Sequence, residues 1–237
     1  MATQPQNDLG VRYHALIDRL RAAENRFERP EGSVCLVAVS KTYPAQDIRT
    51  VADQGQLDFG ENQVQDALSK IPDLVNLDCT WHFIGPIQSN KCRDIAHNFN
   101  WVHSIDRLKI ARRLSELRPS GMPQLNALLQ VNLQDETSKA GISPDAVSDL
   151  ALAMSNLPNI RLRGLMAIPA PEQDFERQRA VFASLRELQA TVNENLDTAM
   201  DCLSMGMTSD LEAAVAEGTT HVRIGTAIFG SRQRRKP

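Results

Sequence analysis

Several things are scarce in this sequence, and each absence removes a class of function. No apolar run approaches the roughly 18 residues that span a bilayer. Met1 to Gly10 is polar and has no apolar signal-peptide core. The cysteines Cys35, Cys79, Cys92 and Cys202 are scattered with no Cys-x-x-Cys pair. They read as reduced core or surface thiols of a cytosolic protein. Neither Gly-x-x-x-x-Gly-Lys-Ser/Thr nor Gly-x-Ser-x-Gly occurs, so there is no phosphate loop and no serine nucleophile elbow. Internal repeats, low-complexity tracts and flexible linkers are missing as well. A formal net charge of -3 gives no electrostatic reason to expect nucleic acid or a membrane surface as partner. The expectation is a soluble, cytoplasmic domain.

What is present is organised around Val34-Cys35-Leu36-Val37-Ala38-Val39-Ser40-Lys41. Its apolar run reads as a strand buried on both faces. A lysine at the carboxyl end of such a strand is half in the protein and half in a cleft. That position suits an amine whose pKa desolvation lowers, the form that attacks an aldehyde. Alone, Lys41 reads more simply as a solvated strand-end lysine, and the rest of the chain has to decide.

An amphipathic helix carrying Leu9, Tyr13, Leu16, Ile17, Leu20 and Ala23 precedes this strand. After it, apolar runs alternate with helical patterns. Further strands are expected at Gln56–Gly60, Trp81–Gly85, Trp101–Ile105, Leu125–Leu133, Arg161–Ile168, Asp201–Met205 and His221–Ile224. Asp106 is placed to cap the helix after the fourth strand, and a long helix is expected from Glu172 to about Leu196. Each gap is long enough for a crossover helix, as parallel pairing requires. Eight strands alternating with helices predict a single (β/α)8 barrel, with an extra N-terminal helix that could close its lower end. The domain spans 1–237, with a core over about 8–232. A doubly wound open sheet is the alternative, and it would not need eight strands.

Barrel active sites lie at the carboxyl ends of the strands, often with a phosphate held after the seventh and eighth. Those ends carry Lys41, Glu61-Asn62, His82 to Gly85, Ser104, Asn132, Met166, Met205-Gly206 and Arg223-Ile224-Gly225-Thr226. Thr208 or Ser209 is expected at a helix N-terminus, where free N–H groups favour a phosphate; ordinary capping would explain them equally. Gly225 lets backbone approach an anion, and Thr226 adds a hydroxyl. An amine facing a phosphate cradle across the barrel mouth matches pyridoxal 5′-phosphate (PLP). His82 and His103 lack companions at metal spacing and read as satisfied or cleft histidines. Lys139 sits in a polar loop and reads as solvated. The basic tail Arg232 to Lys236 reads as a solvated end.

Several segments in order then resemble one family, the pyridoxal phosphate homeostasis (YggS/PROSC) proteins. They are Ala38-Val39-Ser40-Lys41-Thr42, Phe59-Gly60-Glu61-Asn62, and Trp81-His82-Phe83-Ile84-Gly85 with Gln88-Ser89-Asn90-Lys91. Gly164-Leu165-Met166, Leu203-Ser204-Met205-Gly206-Met207 with Asp210, and Val222-Arg223-Ile224-Gly225-Thr226 with Phe229-Gly230 complete the set, from about Leu9 to Arg232. The family resembles the barrel domain of alanine racemase and other fold-type III PLP proteins. The resemblance implies that Lys41 carries PLP as an internal aldimine and that Arg223 faces the pyridine nitrogen. It places Asn62 beside the ring, Met205 in the site, and Thr208, Ser209, Gly225 and Thr226 around the phosphate. Thr208 stands where the family pattern has serine, so the choice between Thr208 and Ser209 stays open. Tyr43 stands where a basic residue is common.

An arginine at the pyridine nitrogen keeps that nitrogen unprotonated and the ring a weak electron sink. Racemases of this fold add a tyrosine base from a second domain. The tyrosines here are Tyr13 and Tyr43, and the chain ends soon after its eighth strand, so a two-base racemase is not expected. The expectation is a monomeric carrier that holds PLP and delivers it to apo-enzymes without robust turnover. A PLP-dependent racemase or lyase is the alternative.

Overall fold

The apolar runs become eight short parallel strands, each lying beside the next in chain order, and the eighth returns to pair with the first. This is the computed structural model of the chain, and it describes residues 4–134 and 140–230. Lys139 and the basic tail lie outside the described residues. The elements run α1 (Gln4–Arg26), β1 (Cys35–Val39), α2 (Ala45–Ala52), β2 (Asp58–Glu61), α3 (Val64–Leu68), β3 (Thr80–Phe83), α4 (Cys92–Asn98) and β4 (Trp101–Ile105). They continue α5 (Leu108–Leu117), β5 (Leu125–Val131), α6 (Val147–Ser155), β6 (Ile160–Ala167), α7 (Phe175–Asn193), β7 (Cys202–Ser204), α8 (Leu211–Ala216), β8 (His221–Ile224) and α9 (Thr226–Phe229). The fold is the expected (β/α)8 barrel rather than an open sheet.

Strand alternation divides the wall into two faces. Leu36, Ala38, Phe59, Phe83, Val102, Leu129, Leu165 and Val222 join the main core between sheet and helices. On the inner face, Leu128, Met166 and Cys202 make a small separate apolar cluster, with Trp101 against it. Val37 and Val39 also face inward, whereas Asp58, His82, His103, Ser204, His221 and Arg223 give the rest of the lumen a polar lining.

Three expectations need correction. The first helix does not close the lower end: α1 packs along the outer wall against α2, α8 and α9. Its buried stripe of Leu9, Tyr13, Leu16, Leu20 and Ala23 needs a long apolar wall, and α9, a single turn, leaves one open beside it. Asp106 does not cap α5. Arg107 occupies the N-cap position without a side-chain cap, and the Asp106 carboxylate accepts instead from the Arg107 guanidinium at 2.6 Å. The long helix is shorter than expected, because the Asp174 carboxylate caps it by accepting the Arg177 N–H at 2.9 Å.

Candidate functional site

β1 stops at Val39, and the chain turns through Ser40, half-buried Lys41 and Thr42. Thr42 has φ +71°, a left-handed conformation that costs a β-branched residue roughly 1–3 kcal/mol and needs support from its surroundings. The support is a buried charged cluster on the outer face of the wall. The Asp66 carboxylate accepts the Thr42 N–H at 2.9 Å. Lys70 Nζ lies 2.8 Å from Asp66 Oδ2, 2.8 Å from Glu61 Oε1 and 3.1 Å from the Ser40 carbonyl. Ser40 Oγ donates to Glu61 Oε1 at 2.6 Å. Both neighbours of Lys41 are thus gripped by one network. Burial pushes the Glu61 carboxyl up to about 7, against the pull of Lys70 and Ser40. Burial also acts to raise Asp66, but its bonds from Lys70 and Thr42 outweigh it and hold this carboxyl below its ordinary value.

Inside the barrel, Arg223 is buried and lies opposite Val37 of β1 in the strand register. Burial lowers its pKa to about 10, with Asp210 offsetting part of the effect, so it is a cation at neutral pH. Its Nη1 donates at 2.7 Å to both the carbonyl and the hydroxyl oxygen of Ser204, and Nη2 donates to the Ala167 carbonyl at 3.0 Å. A guanidinium has five N–H donors, so two are left for something in the lumen. Below Ser204 a row of polar side chains continues. Ser204 Oγ is 2.8 Å from His103 Nδ1, His103 Nε2 is 2.9 Å from His82 Nδ1, and His82 Nε2 is 2.9 Å from Asp58 Oδ1. Burial lowers the pKa of both histidines, and His82 lowers that of His103 further. His221, beside them, is pushed by burial to about 3.

Two of the rim positions depart from the expected arrangement. Gly225 is pressed against β1: a Cβ there would stand 2.9 Å from the Val39 carbonyl oxygen, so a larger residue would pry β8 from β1. Thr226 follows it, exposed. Thr208 is half-buried and Ser209 exposed. Their carbonyls accept from Arg19 at 2.9 Å and Gln178 at 3.5 Å, while neither hydroxyl has a partner among the described residues. The first exception is that these two precede α8 in a turn. Asp210 takes the N-cap position and folds back to accept the Met207 N–H at 2.6 Å. The second exception is Met205, whose side chain lies in the outer core because Ser204 takes the inward position of β7. Only the Met205 backbone faces the eighth strand, its N–H donating to the His221 carbonyl at 3.1 Å. Asn62 is half-buried just past β2, with its backbone beneath Gly85 and its amide without a partner among the described residues.

Tyr43 does not line the lumen as a free phenol. Its hydroxyl donates to the Gly230 carbonyl at 2.7 Å, and its ring stacks on Phe229 at 4.9 Å. A cavity of about 90 Å³ lies on the α7 side of the Asp210 turn, lined by Pro169, Glu172, Arg177 and Phe182 among others. Lys41, Asn62 and Arg223 do not line it. No group of three potential metal ligands occurs among the described residues. No described helix is long and apolar enough to cross a membrane. Sequence reasoning missed Asp66 and Lys70. At (i, i+4) they resemble an ordinary solvated helix pair, and only their burial marks them out.

Comparison with known proteins agrees with this geometry. The family model described as "Alanine racemase, N-terminal domain" matches residues 11–233. A pyridoxal phosphate homeostasis protein of Pseudomonas aeruginosa is 56% identical over 214 residues, covering 90% of this chain and 91% of that protein. One from Escherichia coli is 48% identical, covering 95% and 97%. Among solved structures, PipY of Synechococcus elongatus with PLP bound superposes with a TM-score of 0.80 at 39% identity, covering 89% of this chain and 98% of that one. Alanine racemase from Corynebacterium glutamicum shares the fold, with a TM-score of 0.65 at 16% identity over 91% of this chain and 60% of that one. By sequence and by fold, the chain belongs to the alanine racemase N-terminal domain family and, within it, to the pyridoxal phosphate homeostasis proteins.

Proposed function

We propose that this protein holds PLP as a reversible Schiff base on Lys41 and hands it to apo-enzymes, as a cytoplasmic monomer without robust turnover of its own. The observation that carries the reading is the direct pairing of β8, β1 and β2. It gathers Arg223, Gly225, Lys41 and Asn62 on one arc of the barrel mouth. The donor set suits the group: two Arg223 N–H donors and the Thr208 and Ser209 hydroxyls have no partner among the described residues. Arg223 would address the pyridine nitrogen, Asn62 the ring, and Thr208, Ser209, Gly225 and Thr226 the phosphate. When bound, PLP supplies an aldehyde to amines and, where its nitrogen is protonated, an electron sink. Arg223, being a donor, disfavours that protonation.

Two-base racemase turnover would need a tyrosine at the mouth in addition to Lys41. Tyr13 is buried in the α1 stripe, and Tyr43 is tied to Gly230. These placements favour holding over turnover.

The test is the absorption spectrum of the purified protein with PLP, before and after borohydride, with the reduced lysine mapped by mass spectrometry. Label on Lys41 and loss of the near-visible band in Lys41→Ala are expected. Label on another lysine, with the band intact in that variant, would overturn the site. A panel of amino acids tests turnover, and transfer to an apo-enzyme tests delivery.

A further inference from the structure

The row from Arg223 down to Asp58 has an internal logic that fixes every proton in it. Asp58 presents a carboxylate, which only accepts, so His82 must donate to it through Nε2–H. His82 is wholly buried and neutral, so its Nδ1 is then an acceptor. It can be satisfied only by an Nε2–H on His103, 2.9 Å away. His103, also wholly buried and neutral, is left with an acceptor at Nδ1, and Ser204 must turn its hydroxyl proton toward it. That leaves the Ser204 oxygen lone pairs facing Arg223 Nη1. One chain of donations therefore runs Arg223, Ser204, His103, His82, Asp58, with a cation at one end and an anion at the other. The reverse polarity would require an imidazolium on His82 in a fully buried place.

The length of this row matters. Asp58 opens β2 at the lower end of the barrel, with a third of its side chain exposed, while Arg223 is the last residue but one of β8, toward the mouth. Each intervening ring is also packed: His82 stacks on Trp101 at 5.6 Å with 10° between planes, and His103 lies edge-on to His221 at 5.9 Å. A serine hydroxyl alone can rotate among several acceptors. Here it has one orientation, set from behind.

We propose that His103 and His82, anchored on Asp58, are positioning residues that orient the Ser204 hydroxyl and thereby fix the Arg223 guanidinium plane. Their role toward PLP rests on the reading above in which Arg223 addresses the ring nitrogen; their role toward Arg223 does not. Chains of hydrogen bonds between opposite charges strengthen one another, so disturbing one link loosens the far end. The neutral rings also bring order without placing a second positive charge beside Arg223.

The experiment has two arms on the full chain. In the free protein, ¹⁵N–¹H spectra should show His82 and His103 as neutral Nε2–H tautomers, and slow rotation of the Arg223 guanidinium. His103→Leu should free that rotation. His103→Asn, which can offer an acceptor near the Nδ1 position, should restore much of it. Ser204→Ala removes the link without touching a histidine and covers the case in which His103→Leu fails to fold. In the second arm, PLP labelled at the pyridine nitrogen is added. His103→Leu and Ser204→Ala should shift the ring ¹⁵N signal and weaken binding by about 3- to 10-fold, as expected for one hydrogen bond. An Nδ1–H tautomer or an imidazolium at either ring at neutral pH overturns the proposal. So does an Arg223 signal unmoved in both variants. If Arg223 loosens as expected but wild-type protein gives no borohydride-trapped Lys41, the positioning chain stands and the PLP reading falls.

Discussion

Replacing Lys70 by Met tests the buried cluster behind Lys41, and the structure sets the size of the effect. Lys70 is 4% exposed and Glu61 is wholly buried. Among the described residues Glu61 Oε2 has no hydrogen-bond partner, and Lys70 and Ser40 supply the compensation this carboxyl receives, through Oε1. Removing one partner of a buried ion pair costs about 3–5 kcal/mol. For a chain of this size about 1 kcal/mol moves Tm by roughly 2–4 °C, so a fall of roughly 6–20 °C is expected at pH 8. The pH dependence follows from the sign of the shift. Glu61 titrates at about 7 in the folded protein against 4.5 ordinarily, so between those values the folded chain holds a proton that the unfolded chain has lost. Its contribution to stability therefore falls as pH rises through that window. Without Lys70 the folded pKa climbs further and the loss continues to higher pH. The deficit of Lys70→Met should be smaller near pH 5, where Glu61 is protonated and what is lost is the bond to the Ser40 carbonyl and the part-exposed pair with Asp66, and largest at pH 8. Adding Glu61→Gln should recover most of it, since the isolated charge is then gone. Thermal and urea unfolding followed by circular dichroism at pH 5 and pH 8 measures all of this. An equal loss at both pH values, or a double variant no better than the single, would refute the reasoning.

Other expectations concern the mouth and the wall. Arg223→Gln should keep PLP but alter its absorption spectrum; complete loss of PLP with an unchanged fold would make Arg223 a phosphate ligand instead. Pyridoxal should bind at least about 100-fold more weakly than PLP by equilibrium titration, because several charge-assisted hydrogen bonds of roughly 1.5–3 kcal/mol each are lost. Thr208→Ala should weaken PLP binding more than Ser209→Ala, because Thr208 is half-buried and stands where the family pattern has serine, whereas Ser209 is exposed. Gly164→Ala should abolish soluble, folded protein, because its Cβ would stand 1.7 Å from the Cys202 carbonyl oxygen between β6 and β7.

The barrel was legible because each strand is a short apolar run and each crossover carries helical spacing. Those two periods survive in sequence whatever the side chains do later. Lys41, Asn62, Arg223, Gly225 and the Thr208-Ser209 turn could be placed for the same reason: each sits at the end of a recognisable strand. What stayed hidden was anything that depends on which face a residue takes. Met205 adjoins the lumen in sequence but not in space, since one step along a strand reverses the side chain. His82 and His103 were readable as satisfied histidines, but nothing in their spacing says that they satisfy each other. Asp66 sits on the short helix α3 and Lys70 just past its end, a stretch that would normally be solvated, and the burial of Lys70 depends on how it folds over the end of β1.

The two faces of the wall divide the work around Lys41. On the outer face, ionic groups hold the backbone: Lys70 takes the Ser40 carbonyl, and Asp66 takes the Thr42 N–H. On the inner face, neutral groups joined end to end reach Arg223 from below. The division is physically sensible. An ion pair facing the lumen would compete for the phosphate and for Arg223 at short range, where Coulomb interactions are strong. Placed behind the strand, it can clamp the lysine's neighbours while adding little net charge to the mouth. On the function proposed above, a protein that grips PLP and later releases it would gain from this arrangement. The fold then fixes the backbone on both sides of Lys41 without an ionic group on the lumen side of the strand.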